Sequence, residues 1–164
     1  MSDIDSALLS AIDALQLRYV AALDGKDMSR WLDTFAEEDN ASYICISDEN
    51  LSHGLELGLM YDDNRARLQD RVTYITEIWA GTFQDYRTRH FVQRVNAERI
   101  DDWSLRMRSN FSVFYTPENT GVSEVLATGV YEDVISTGNG APRLLSRKAI
   151  LDTTVLPRYL VYPV

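Results

Sequence analysis

The run Ser104-Leu105-Arg106-Met107-Arg108-Ser109-Asn110-Phe111-Ser112-Val113-Phe114-Tyr115 decides the fold. Leu105, Met107, Phe111, Val113 and Tyr115 share one parity, and Arg106, Arg108, Asn110 and Ser112 share the other. Successive side chains of an extended chain point to opposite faces. The alternation therefore predicts a strand at about 103–116 with one face on a core and the other toward solvent. Three more strand-like runs surround it, at about 87–99, 123–136 and 143–155. Turn residues divide them: Asp101-Asp102, then Thr116-Pro117-Glu118-Asn119-Thr120-Gly121, then Thr137-Gly138-Asn139-Gly140.

Ahead of the strands the period is helical. Ile4, Leu8, Ile12, Leu15, Tyr19 and Leu23 recur every three or four residues, and Gly25 in Asp24-Gly25-Lys26-Asp27 stops the helix. A shorter helix carries Met28, Trp31, Leu32 and Phe35 on one stripe, and Ala41 to Ile46 reads as a strand. Residues 47–61 are polar with two glycines and read as a loop. Asp62 or Asp63 is placed to cap a third helix in which Leu68, Val72, Ile75 and Trp79 align, closed by Gly81. Neither repeat nor linker interrupts the chain. Residues 1–164 are expected to form a single α+β domain, three N-terminal helices packed in a strongly curved, mostly antiparallel sheet. Such curvature makes a cone, which either holds a ligand or offers its outer sheet face to another chain.

Composition narrows the function. Sixteen basic against twenty-five acidic residues give a net charge of −9. That balance speaks against nucleic acid, bound through lysine and arginine on phosphates, and against an anionic membrane surface. No stretch approaches the roughly 20 apolar residues of a membrane span. The single cysteine, Cys45, cannot pair internally, so a reducing cytoplasm is the expected location. It lies in the apolar run Tyr43-Ile44-Cys45-Ile46 and reads as packed core rather than a nucleophile.

Chemistry is bounded by counting. A Rieske cluster needs two cysteines and two histidines, more than this chain holds, and a cysteine-rich zinc site fails for the same reason. A two-histidine, one-carboxylate iron site would need both His53 and His90, which lie on different elements. Nucleotide-binding glycine motifs and the Gly-x-Ser-x-Gly elbow are absent. One catalytic alternative stays open: an acid–base set inside the cone drawn from His90, Asp133, Tyr131, Tyr43 and Asp152. A third possibility, an open apolar cavity, would make the domain a small-molecule binder. The nine tyrosines, three tryptophans and five phenylalanines fit interfaces, where an apolar face also makes hydrogen bonds. The apolar tail Leu156 to Val164 is expected to be covered by something, with a partner chain as the candidate.

Several strings, taken in order, resemble one family. They are Asp62-Asp63-Asn64 with Leu68 and Asp70-Arg71-Val72; Thr88-Arg89-His90-Phe91-Val92; Arg108-Ser109-Asn110-Phe111; Gly129-Val130-Tyr131-Glu132-Asp133-Val134; and Ser146-Arg147-Lys148-Ala149-Ile150-Leu151-Asp152. In this order and spacing the chain resembles the small, β subunits of Rieske-type aromatic-ring-hydroxylating dioxygenases. Its tail is similar to the branch acting on aromatic acids, such as the salicylate hydroxylases. The resemblance implies a nuclear-transport-factor-2-like, cystatin-like cone and an α₃β₃ assembly, with β also able to associate as a trimer. It implies that the Rieske 2Fe–2S cluster and the mononuclear iron sit in the α subunit, that a reductase or ferredoxin delivers electrons there, and that β has no cofactor and no catalytic residue. The partner interface is then expected at Arg89, His90, Trp103, Arg106, Arg108, Tyr159, Tyr162 and Val164.

Overall fold

The computed structural model describes residues 4–138 and 140–164. Asn139 of the last predicted turn, and the first three residues, lie outside the described residues. Helix α1 spans Ser6–Asp24, begun by the Asp5 carboxylate accepting the Leu8 amide at 2.7 Å. By length and composition it is apolar enough to cross a membrane, which corrects the expectation that no stretch comes near that limit. Ile12, Leu15, Tyr19 and Leu23 are nevertheless buried against the protein's own core, and Asp13 pairs with Arg94 at 2.8 Å. The helix stops at Gly25 as expected; Gly25 itself stays right-handed and the left-handed step falls on Lys26, at φ 58°.

Helix α2 (Met28–Leu32) follows, then strand β1 (Ser42–Ser47). The predicted loop at 47–61 holds two short elements, helix α3 (Asp48–Ser52) and strand β2 (Met60–Asp62), so four helices, not three, precede the long strands. Helix α4 (Arg65–Thr73) is capped by Asn64, whose side chain accepts the Arg67 amide at 3.0 Å. Asp62, expected as a cap, lies in β2 and pairs with Arg71 at 2.9 Å. A π-helical turn, Tyr74–Ile78, then widens the helix, and Trp79 falls after its end.

The long strands are β3 (Tyr86–Arg99), β4 (Ser104–Pro117), β5 (Glu124–Ser136) and β6 (Arg143–Leu151). The sheet order is β2-β1-β6-β5-β4-β3, antiparallel except for the β1–β6 pair. Register shifts at Arg94/Asn96, Val113/Phe114 and Val134/Ile135 bend and twist the strands, curving the sheet around the helices. The predicted parity of β4 holds: Leu105, Met107, Phe111, Val113 and Tyr115 are buried, while Arg106, Arg108 and Asn110 are exposed. The last strand ends at Leu151 rather than 155, because Asp152 turns back to accept the Thr128 hydroxyl at 2.7 Å.

Gly129 is the tightest point of the sheet. A Cβ built there would lie 2.0 Å from the Ile150 carbonyl oxygen, a backbone atom held by the β5–β6 ladder. Gly129→Ala is therefore expected to force β5 and β6 apart and to cost about 3 kcal/mol, the upper end for overpacking. Denaturant unfolding of the two proteins reads the difference directly.

Candidate functional site

The cone has two surfaces that chemistry could use, its interior and its outer sheet face. The interior is filled. Arg147 of β6 makes two parallel bonds to Asp133 of β5, at 2.9 and 2.8 Å, and donates to the Gln16 side-chain oxygen of α1 at 2.6 Å. Both charged side chains are fully buried. The guanidinium lies 4.0 Å from the ring centres of Tyr19 and Tyr131, and Tyr131 stacks on Phe111 at 4.3 Å. Trp31, Phe35 and Tyr43 continue the aromatic packing edge to face.

The tail completes this filling. Val161, Tyr162 and Val164 are buried, and the Val164 carbonyl accepts from the hydroxyls of Tyr19 at 2.9 Å and Tyr43 at 3.2 Å. The Val164 amide donates to Tyr43 at 3.0 Å. The expectation that a partner covers Tyr162 and Val164 is thereby corrected. The chain's own core covers them, because an apolar strip beside an open cone mouth finds its nearest apolar surface within the same molecule.

Burial also raises the interior thiol and hydroxyls. It pushes the Cys45 thiol and the Tyr19 hydroxyl up to about 12 and the Tyr131 and Tyr43 hydroxyls well above their ordinary value. Cys45 is packed core, as its strand implied. Both oxygens of Asp133 are engaged by Arg147.

His90 belongs to a different group. Its Nδ1 lies 2.6 Å from Asp24 Oδ1, its amide donates to Asp24 at 3.1 Å, and the Thr88 hydroxyl donates to the same carboxylate at 3.0 Å. Burial alone would raise the Asp24 carboxyl, but the bonds from His90 and Thr88 outweigh it and hold the group below its ordinary value. No hydrogen bond among the described residues joins this group to Asp133 and Tyr131, so the three candidates of the acid–base alternative are not brought together. Tyr43 is bonded to the tail and Asp152 is an exposed turn residue. His53 is exposed, its Nδ1 2.7 Å from the Glu49 carbonyl. Among the described residues no cluster of three or more His, Cys, Asp or Glu is arranged to hold a metal ion.

Lys26 links His90's neighbourhood to the tail. Its ammonium sits 4.0 Å over the Tyr162 ring and 4.7 Å over Tyr86, and donates to Thr88 at 3.3 Å. Burial, with Arg158 nearby, lowers the Lys26 pKa to about 8 against the pull of Asp85 and Asp24. Between that value and the ordinary 10.5 the unfolded chain binds a proton that the folded chain does not, so the contribution of Lys26 to stability rises with pH in this window. The buried Cys45 thiol, raised from 9.0, works the other way from about pH 9 upward. Between about pH 8 and 9, stability measured by denaturant is therefore expected to rise more steeply with pH in the native chain than in Lys26→Met.

The expected interface residues divide. His90, Tyr162 and Val164 are internal, with the His90 side chain 2% exposed. Arg89, Trp103, Arg106, Arg108 and Tyr159 are on the surface. Arg106 and Arg108 already have partners, Glu98 at 3.2 Å and Glu132 at 2.7 Å, and line a groove of about 490 Å³ on the outer sheet face. Trp103 lines a cleft of about 870 Å³ with Glu37, Glu38 and Arg143. Beside these, the outer face exposes Phe91 and Phe114 as an edge-to-face pair 5.7 Å apart. Sequence reasoning missed the segment leading into β2, where Leu51, Leu55, Leu57 and Leu59 are exposed. Its signal was present in those four leucines, set among glycines and acids that made the segment look polar.

Residues 18–158 match the family model described as the ring hydroxylating beta subunit. The small subunit of anthranilate 1,2-dioxygenase from Burkholderia cepacia is 28% identical over 150 residues, covering 92% of this chain and 90% of that one. The β 2 subunit of the terminal oxygenase component of terephthalate 1,2-dioxygenase from a Comamonas species is 29% identical, over 93% of this chain and 96% of that one. Among solved structures, the β subunit of benzoate 1,2-dioxygenase from Burkholderia mallei superposes with a TM-score of 0.71 at 28% identity, covering 98% of this chain and all of that one.

Proposed function

Because the chain belongs to the ring-hydroxylating β subunit family, we propose that it holds the iron-bearing α subunits of an aromatic-ring-hydroxylating dioxygenase in a closed assembly. It is a β subunit of the terminal oxygenase, and its part is structural. The observation that carries this is the filled cone: Arg147, Asp133, the aromatic cluster and the tail occupy the space an enzyme of this shape would give to substrate. With one cysteine and two histidines, neither of the latter near Cys45's strand by hydrogen bond, the chain does not fit a Rieske cluster. The cluster and the mononuclear iron belong to the α subunit, which a reductase or ferredoxin would supply with electrons.

The substrate class this reading supports is aromatic acids, since the three relatives are named for anthranilate, terephthalate and benzoate. The assembly is α₃β₃ with β self-associating as a trimer, working in the cytoplasm. Interfaces of this kind are large, apolar at the centre and polar at the rim, and the exposed Phe91, Phe114, Trp103 and leucine segment supply apolar surface for one.

The test is co-expression with a candidate α subunit and purification through a tag on β. A brown complex with Rieske-type absorption is expected, alongside colourless β when it is expressed alone. Recovery of β without any α would contradict the proposal.

A further inference from the structure

The whole net charge of this protein comes from one stretch. Between Arg30 and Arg65 there is no lysine or arginine, yet nine acids lie there; the other sixteen acids equal the sixteen basic residues. The stretch includes the leucine segment before β2, the strand at one edge of the sheet. Leu57 is 64% exposed and Leu55 48%. Around them Asp48, Glu49 and Glu56 have no cationic partner among the described residues. Acid-rimmed leucines held this way are costly to leave bare, and they fit an apolar surface rimmed by cations.

Such a surface exists on the same chain, at the opposite edge of the sheet. Arg87 and Arg89 of β3 are exposed, with no carboxylate partner among the described residues. They share the outer face with Phe91, 61% exposed, and its neighbour Phe114. A symmetric contact of like patches would set acids against acids. A contact between unlike patches sets leucines on phenylalanines and acids on arginines, and it generates a ring when the rotation closes.

We propose that the acidic leucine segment of one copy docks on the Arg87–Arg89–Phe91 face of the next, building the β ring head to tail. The proposal rests on the reading that β self-associates, and it names the surfaces.

The test is sedimentation of the full chain alone at micromolar concentration, with three variants: Glu56→Arg, Arg89→Glu and the two combined. These side chains are on the surface, so folding, checked by circular dichroism, should persist. Each single reversal is expected to weaken association on the order of tenfold, and the combined variant to regain it. Leu57→Asp is expected to leave a monomer. A native chain that sediments as a monomer overturns the proposal, as do variants that keep the native mass. Variants that keep the ring but lose capture of α also overturn it, assigning the segment to α. Capture of α by the native chain is scored separately: its absence sinks the family-level role while the docking result stands on its own.

Discussion

Arg147→Met is expected to destabilise the chain by about 3–5 kcal/mol, because it strands the Asp133 carboxylate inside the cone. The two side chains are fully buried and joined by two short bonds, and Arg147 also holds Gln16 and lies between two tyrosine rings. Removing the cation forfeits the stacking and leaves a charge whose remaining side-chain donor among the described residues is Gln16, at 3.4 Å. For a chain of this length the loss corresponds to a fall in melting temperature of roughly 6–20 °C, measured at fixed protein concentration. The paired replacement Asp133→Leu with Arg147→Met removes both charges, and is expected to recover most of the stability. A single variant that melts like the native chain would mean that the pair is not a buried strut.

Tyr162→Ala is the second large effect. Its ring meets Phe83 and Tyr86 edge to face, each at 5.9 Å, and lies under the Lys26 ammonium. Truncation leaves a hole where the tail enters the cone, with an expected cost of about 3–5 kcal/mol by the precedent of buried aromatics. Tyr162→Phe keeps the ring and is expected to cost under about 1 kcal/mol, since no hydrogen bond to the hydroxyl is present among the described residues. Amide hydrogen exchange gives a second reading: loss of the ring should unlatch Val164 from Tyr19 and Tyr43 and expose its amide.

These residues also mark the limit of what the sequence revealed. Helix α1, the four long strands and the two faces of β4 were legible because hydrophobic period is a local property. Helix α3 and strand β2 were not: α3 buries no residue, so no apolar stripe marks it as one marks α2, and three-residue β2 exists through its pairing with β1. Asp133 was picked out as a titratable group, but its partners lie 14 and 117 positions away, and only the fold shows that Arg147 claims it. His90 was legible as a candidate and its partner Asp24 was not, since the two are 66 residues apart. The tail was rightly read as buried, yet apolarity alone does not say whose core receives it.

One measurement bears most directly on the scaffold role: ring hydroxylation by the assembled oxygenase when β carries Asp24→Asn and His90→Gln. This pair is a close imidazole–carboxylate contact, 2.6 Å between His90 Nδ1 and Asp24 Oδ1, the type of group that general acid–base chemistry uses. A scaffold predicts turnover per assembled α subunit equal to that with native β, with an aromatic acid as substrate and the reductase present. An intact brown complex that has lost turnover would show that β takes part in the reaction, contradicting the role assigned to it.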